Sequence, residues 1–325
     1  MKPFLLLGLV LWPLLAGAQT PAAPQPLPIA DVHFHLMRFM TPEDLGARMA
    51  RHHIRWVVSA GAIGSPQLGN STYRDGQVRK VLGARFVPAV GGSESYVAER
   101  TEGTRLYTDP QSTERFLVLD AVESLVGKEQ RSIAETFPNA ERSSLDPLRR
   151  RRVPTDSLFF RELMAIAEKT GTPVPMHMEW HPDSVAQLGK LLTEFAKGTV
   201  VLSHCGKTTT ADDIRKFLVQ YPNVFCDLGY RSAPQATDES RSDPLRMIFW
   251  GGAFMRSAGL KPEWLQLVED HPDRFMVAID DVTSWEQFDE VVTAIRTGLL
   301  DKLTPATAEK VAFRNAVRVY RLTAP

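Results

Sequence analysis

Asp31-Val32-His33-Phe34-His35 is the stretch of this chain with the clearest capacity for chemistry. It follows an apolar lead-in, Leu27 to Ala30, and reads as the end of a β-strand. Side chains alternate faces along a strand, so His33 and His35 share one face and Val32 and Phe34 the other. Two neutral imidazoles on one face are half of a site for Zn, Fe, Ni or Cu. The pair gains meaning if later elements send ligands to the same point. His177 in PVPMHM, His204 in TVVLSH and Asp280 in RFMVAID each close an apolar run that reads as a strand. Four imidazoles and a carboxylate suit Zn, Fe or Mn, and a divalent ion there would lower the pKa of a water molecule towards neutrality. Asp280 would accept the water's proton and pass it to a leaving group, as general base and then acid. His204 or His177 could instead polarise a substrate carbonyl.

These residues need a scaffold that brings strand ends together. After His35 the chain alternates apolar strand-like runs with helical ones. Strands are expected at 54–60, 85–90, 131–136, 173–178, 199–204, 224–228 and 274–280, and helices at 42–53, 73–82, 110–126, 156–169, 182–196, 211–221, 262–270, 284–299 and 304–322. In the helix at 110–126, Phe116, Leu119, Val122 and Val126 fall on one face. Asp156 is placed to cap the next helix and Gly171 to end it. About eight strands alternating with helices predict parallel strands joined by right-handed crossovers. No G-x-G-x-x-G or P-loop follows any strand. In an open sheet the ends of strands 1, 5, 6 and 8 could not meet. In a closed (β/α)8 TIM barrel they ring one mouth, where active sites of that fold lie.

The chain has 325 residues, a formal net charge of zero and 43% hydrophobic residues. Zero net charge argues against nucleic acid or an anionic membrane as partner. A small molecule is the expected partner, and a homodimer is compatible with the sequence. Lys2, the apolar run Phe4 to Leu15 and Ala16-Gly17-Ala18 read as a cleaved secretory signal over 1–18, with a flexible Pro/Ala-rich leader at 19–28 and a single domain at 29–325. Export to a periplasm is the expectation, with no membrane association after cleavage. The two cysteines, Cys205 and Cys226, fall near ends of successive strands and read as buried free thiols rather than a disulfide.

The motifs together resemble the amidohydrolase superfamily, and within it the amidohydrolase-related group of metal-dependent (β/α)8 hydrolases. DVHFH is similar to that family's first-strand D-x-H-x-H, and TGTPVPMH to its G-x-P-V-x-x-H. VVLSHCG resembles its strand-6 H-x-G, PNVFCDL its P-N-V-x-x-D-L, DRFMVAIDD its R-x-x-F-G-S-D and FRNAVRVYRL its closing G-N-A-x-R-L-F-x-L. The resemblance covers about residues 31–322. It implies that His33, His35, His177, His204 and Asp280 hold a divalent metal, with Zn the leading choice. It also implies that metal number turns on strand 4, where binuclear members carry a bridging Lys, Glu or Cys. Glu135, in RSIAETF, either bridges a second ion, is bonded to barrel polar groups or turns outward. The chain departs from the pattern before and after Asp280, where Ala278-Ile279 and Asp281-Val282 replace the usual Gly-Ser and aromatic-Pro pairs.

Further candidates border the mouth. Glu179 and Trp180 follow His177 and are expected to line the pocket, and Asp227 to orient a ligating histidine. Arg150, within the run Arg149 to Arg152, could hold a substrate carboxylate or phosphate, although such runs are usually solvated. Arg231 and Lys207 are candidate substrate contacts, and residues 229–260 a pocket wall with Phe249, Trp250, Phe254 and Met255 beneath it. His52, His53 and His271 precede strands and read as structural. His181 reads as a helix cap. The reading favours a metal-dependent hydrolase of amide, lactone or other ester bonds. A non-oxidative decarboxylase with the same ligands and a barrel that binds without turnover are the alternatives. The leader makes a direct prediction: N-terminal sequencing of the exported protein should begin at about Gln19.

Overall fold

The first strand, β1 (Ile29–Phe34), is buried along its whole length, as strands covered on both faces are. The structure is a computed structural model and describes residues 26–61, 71–126, 132–141, 149–205, 209–229, 260 and 262–323. The expected signal at 1–18, Lys207, Arg231 and the aromatic residues of 229–260 lie outside them.

The barrel strands follow in chain order. β2 is Ile54–Ser59. β3 has two segments, Phe86–Val87 and Ala89–Val90, split at Pro88, which has no N–H for the ladder. β4 also has two segments, Ser132–Ile133 and Thr136–Asn139, with Glu135 in the gap. β5 is Val174–Met178, β6 Val200–Leu202, β7 Val224–Asp227 and β8 Phe275–Met276. Each pairs in parallel with the next. The last returns to the first. Val32 N–H donates to the Val277 carbonyl over 3.1 Å, Asp280 N–H donates to the His33 carbonyl over 2.7 Å, and Phe34 and Asp280 form a parallel bridge. The strands therefore close into a (β/α)8 TIM barrel.

One local departure matters for the site. Strict alternation would put Val32 and Phe34 on the same face. In the structure Val32 packs with Val58, Met276 and Ala278, whereas Phe34 packs outward, edge-on to Phe288. The pairing of β1 with β2 shifts register between Asp31 and Phe34. Such an irregularity re-aims side chains, and here it falls on the two histidines.

Helices cover the barrel: α1 (Pro42–Arg51), α2 (Ser71–Leu82), α3 (Gly92–Glu102), α4 (Arg105–Thr108), α5 (Thr113–Val126), α6 (Leu158–Thr170), α7 (Pro182–Glu194), α8 (Ala211–Gln220), α9 (Pro262–Asp270) and α10 (Trp285–Ala294). α3 and α4 were not anticipated from the sequence, because neither has a strong apolar stripe. The expected face of α5 needs correction. Phe116 is 68% exposed, and Val118, Leu119, Val122 and Val126 are buried. Ser157, not Asp156, stands at the N-cap of α6, and Gly171 ends it at φ 67°. His181 caps α7, accepting from Asp183 N–H. Among the described residues no helix is long and apolar enough to cross a membrane.

Pro305–Glu309 and Asn315–Val319 form the closing helical run, whose Ala316, Tyr320 and Leu322 pack against the barrel interior residues Ala30 and Trp56. Asn315 ties this run to β8, its Nδ2 donating to the carbonyls of Pro272 and Phe275 over 2.8 Å each. Asn315→Ala leaves the buried Phe275 carbonyl short of a donor, so urea unfolding should show a loss of roughly 1–3 kcal/mol.

Candidate metal centre

His33, His35, Glu135, His177, His204 and Asp280 come from five different strand ends and are all at least 95% buried. Their donor atoms fall into three overlapping groups that could each hold a cation: His33, His204 and Asp280; His33, His35 and Glu135; Glu135, His177 and His204. Glu135 joins the groups. Its Oε2 lies 3.5 Å from His33 Nε2 and 3.4 Å from His35 Nε2, and its Oε1 lies 3.0 Å from His177 Nδ1 and 3.8 Å from His204 Nε2. Asp280 Oδ1 is 3.5 Å from His33 Nε2 and 3.4 Å from His35 Nε2, with Oδ2 3.7 Å from His204 Nε2.

The donor chemistry fits a metal ion. His35 Nδ1 contacts the Gly61 carbonyl at 2.8 Å, which can only accept, so Nδ1 carries the proton. His33 Nδ1 donates in the same way to Asp227 Oδ2 over 2.9 Å. In both neutral rings Nε2 is then the lone-pair nitrogen. These two nitrogens face each other at 3.1 Å. Two lone pairs at that distance repel unless a proton or a metal ion lies between them. The surrounding carboxylates have the same effect. Burial works against a charge on His33, but Glu135, Asp227 and Asp280 together raise its pKa well above the imidazole range. Burial likewise opposes ionised Glu135, yet His33 and His177 hold it well below the usual carboxylate range. A cluster that favours charged imidazole beside charged carboxylate favours a cation at its centre.

Backbone and neighbouring side chains fix the donors. Asp227 serves two of them: Oδ2 takes the His33 N–H, and Oδ1 accepts the backbone N–H groups of His204 and Gly229 over 2.9 Å each. A Cβ on Gly229 would lie 2.8 Å from that Oδ1. Gly61, whose carbonyl orients His35, sits at φ 83°, and a Cβ there would lie 2.7 Å from the Ala134 Cβ. Asp31 clips β1 to the strand 8 segment, its Oδ1 accepting from His33 N–H over 3.1 Å and Ile279 N–H over 3.0 Å. Burial pushes its pKa up to about 8. His204, Cys205 and Asp280 all have left-handed backbone, at φ 55°, 55° and 70°. That conformation is uncommon outside glycine and concentrates at functional sites.

The remaining sequence candidates divide. Asp280 enters the cluster, whereas Asp281 is half-buried beside it. Glu179 is buried, and Asn139 bonds to its backbone at both ends, accepting its N–H over 3.0 Å and donating Nδ2 to its carbonyl over 3.1 Å. Trp180 is half-buried and packs edge-on to Phe217 at 5.2 Å. Arg150 is exposed, and the inward member of the arginine run is Arg149, at 1% exposure. The run lies on a loop with no strand or helix period, so no periodic signal distinguishes which arginine turns inward. Gly61 and Asn139 had no sequence signal, since their roles are a carbonyl position and a loop clamp. Cys205 and Cys226 are both buried as free thiols.

A family model described as Amidohydrolase (Amidohydro_2) matches residues 139–322, more than half of the chain. The protein therefore belongs to the amidohydrolase family. Solved structures share its fold at low identity. An uncharacterised TIM-barrel protein of Bordetella bronchiseptica aligns with a TM-score of 0.54 and 17% identity over 87% of this chain and 83% of its own. An amidohydrolase of Burkholderia multivorans aligns at 0.52 and 16%, over 91% and 99%. A 2,6-dihydroxybenzoate decarboxylase of Rhizobium aligns at 0.50 and 11%, over 91% and 99%. No curated protein sequence matches this chain closely enough to lend it an activity. The Asp227 geometry sets a prediction. Asp227→Ala should weaken metal retention roughly 10–100-fold, measured by competition with a chelator, with far-ultraviolet circular dichroism unchanged.

Proposed function

We propose that the protein is a metal-dependent hydrolase of amide, lactone or other ester bonds, with two divalent ions, Zn foremost, held by His33, His35, His177, His204, Glu135 and Asp280. The observation that carries this reading is the split carboxylate of Glu135, one oxygen towards His33 and His35 and the other towards His177 and His204. A carboxylate so placed suits a bridge between two cations. The imidazole and carboxylate donors suit Zn, though Mn and Fe accept the same set. When bound, such ions polarise a carbonyl and lower the pKa of water.

The chain's own residues supply the rest. Asp280 takes a proton from the attacking water on its carboxylate and returns it to the leaving nitrogen or oxygen. Asp227 keeps the His33 proton on Nδ1 and the Gly61 carbonyl keeps that of His35 on Nδ1, so both Nε2 atoms stay available. Burial of all six donors excludes bulk water and strengthens each electrostatic contact. Glu179 and Trp180 follow His177 and Met178 in sequence as candidates for the pocket wall. The same reading takes the leader as an export signal and the substrate as a small molecule met outside the cytoplasm.

A second reading is non-oxidative decarboxylation. The fold shared with the Rhizobium decarboxylase supports it, and carbon dioxide release from an aromatic acid would select it. Elemental analysis of the purified protein tests the site directly. Wild type should hold about two ions per chain, Glu135→Gln about one, and His33→Ala/His35→Ala markedly fewer than wild type. A wild-type count of one would remove the bridge, and none after reconstitution with Zn would sink the metal mechanism.

A further inference from the structure

Arg149 is the largest fully buried side chain of the described residues. Its guanidinium is held on several sides. Nε lies 3.3 Å from Glu99 Oε2, one face rests on the Phe137 ring at 4.1 Å, and Tyr96 lies at 5.6 Å. Phe137 in turn stacks on His177, with centroids 5.1 Å apart and planes at 26°. Arg149 is thus one aromatic ring away from the candidate metal centre. Glu99 is a shared partner: its Oε1 lies 2.7 Å from Arg151 Nη2 and accepts the Tyr107 hydroxyl over 2.5 Å. Arg149 Nη1 is buried and has no hydrogen-bond partner. Buried guanidinium N–H groups are rarely left so, because the group is always charged and its N–H bonds call for acceptors.

Arg149 also forms part of the wall of a small cavity at strands β3 and β4. Glu135, Phe137, Ser95 and Glu99 also line it, among apolar residues that include Val122 and Leu163. The cavity is therefore lined both by Glu135 of the candidate metal centre and by Arg149, whose guanidinium has a donor to spare. Its volume, about 20 Å³, takes a group the size of one or two oxygen atoms and excludes a ring or a phosphate.

We propose that Arg149 is a recognition residue for a carboxylate on the substrate, which enters this cavity while the scissile bond lies over Glu135 and the histidines. The proposal rests on the hydrolase reading for the position of that bond and narrows its substrates to carboxylate-bearing esters, lactones or amides. Planar guanidinium binds carboxylate with paired, charge-assisted hydrogen bonds, which gives orientation as well as affinity. Phe137 and Glu99 hold the guanidinium in place beforehand, so little side-chain freedom is lost on binding.

The test uses the metal-loaded protein and propionate as probe, with propionamide as the neutral isostere, followed by NMR of the probe. Wild type should bind propionate and not propionamide. Arg149→Gln should weaken propionate binding roughly ten- to hundredfold, as loss of a hydrogen bond between charged groups does, and Arg149→Lys should fall between. Equal binding by wild type and Arg149→Gln, or no propionate binding by wild type, overturns the proposal. So does binding that His33→Ala/His35→Ala abolishes while Arg149→Gln keeps it, because the ions alone would then hold the probe. Should Arg149→Gln fail to fold, a wild-type crystal with propionate decides: a carboxylate against Arg149 supports the assignment, and one elsewhere ends it. A protein that binds propionate through Arg149 and hydrolyses no ester or amide would defeat the hydrolase reading and leave the subsite standing.

Discussion

Asp280 donates its backbone N–H to the His33 carbonyl over 2.7 Å, and at that bond the last barrel strand meets the first. The site depends on this seam. Asp31 reinforces it by accepting N–H groups from both sides, His33 and Ile279. Without closure, Asp280 would lie at one edge of a sheet and His33 and His35 at the other. With it, a carboxylate oxygen stands 3.4–3.5 Å from both Nε2 atoms. The closing helix, tied to β8 through Asn315, holds the other end of the same strand.

Within the ring the balance of charge governs the arrangement. Four buried imidazoles meet Glu135, Asp280 and Asp227, and no group is stable there alone, since burying an isolated charge costs far more than a hydrogen bond returns. Each carboxylate is matched. Asp227 takes an imidazole N–H and two backbone N–H groups, and Glu135 divides its oxygens between two pairs of rings. Two lone-pair nitrogens set 3.1 Å apart make sense only around positive charge. The ligand geometry and the electrostatics both favour positive charge at this point, and the residues present could hold a cation there.

Local backbone conformations carry part of the cost of that arrangement. His204, Cys205 and Asp280 adopt left-handed φ where the strands end, and β1 slips register between Asp31 and Phe34, across His33. A regular β1 would put Val32 and Phe34 on one face. The slip in β1 instead leaves Val32 packed inside and Phe34 outside, and these conformations persist because the packed barrel and the bonds from Asp227 and Asp31 over-determine them. Arg149 belongs to the same pattern of fixed polar groups, its guanidinium held against Phe137 and Glu99 beside the cavity that reaches Glu135.

The sequence by itself determined the alternation of strands and helices, the expectation of a closed barrel and which four histidines meet at one point. Those features are local, because period-2 runs, caps such as His181 and the left-handed Gly171 are written in neighbouring residues. The family pattern R-x-x-F-G-S-D, counted from Arg274, also picked out Asp280. What only the tertiary structure decided lies where residues distant in the chain meet. Glu135 could have faced either way from the sequence, and its place in the gap of β4, with its N–H on the Ala60 carbonyl, turned it into the centre. Phe116 fitted the stripe of α5 but faces solvent, because the helix packs along Val118 and Val122. Arg150 and Arg149 are indistinguishable by composition, and only the pocket formed by Phe137, Tyr96 and Glu99 selects Arg149. Periodicity states which side chains share a face of one element; which face meets which is set by long-range packing, and a single sequence does not encode that in any local signal.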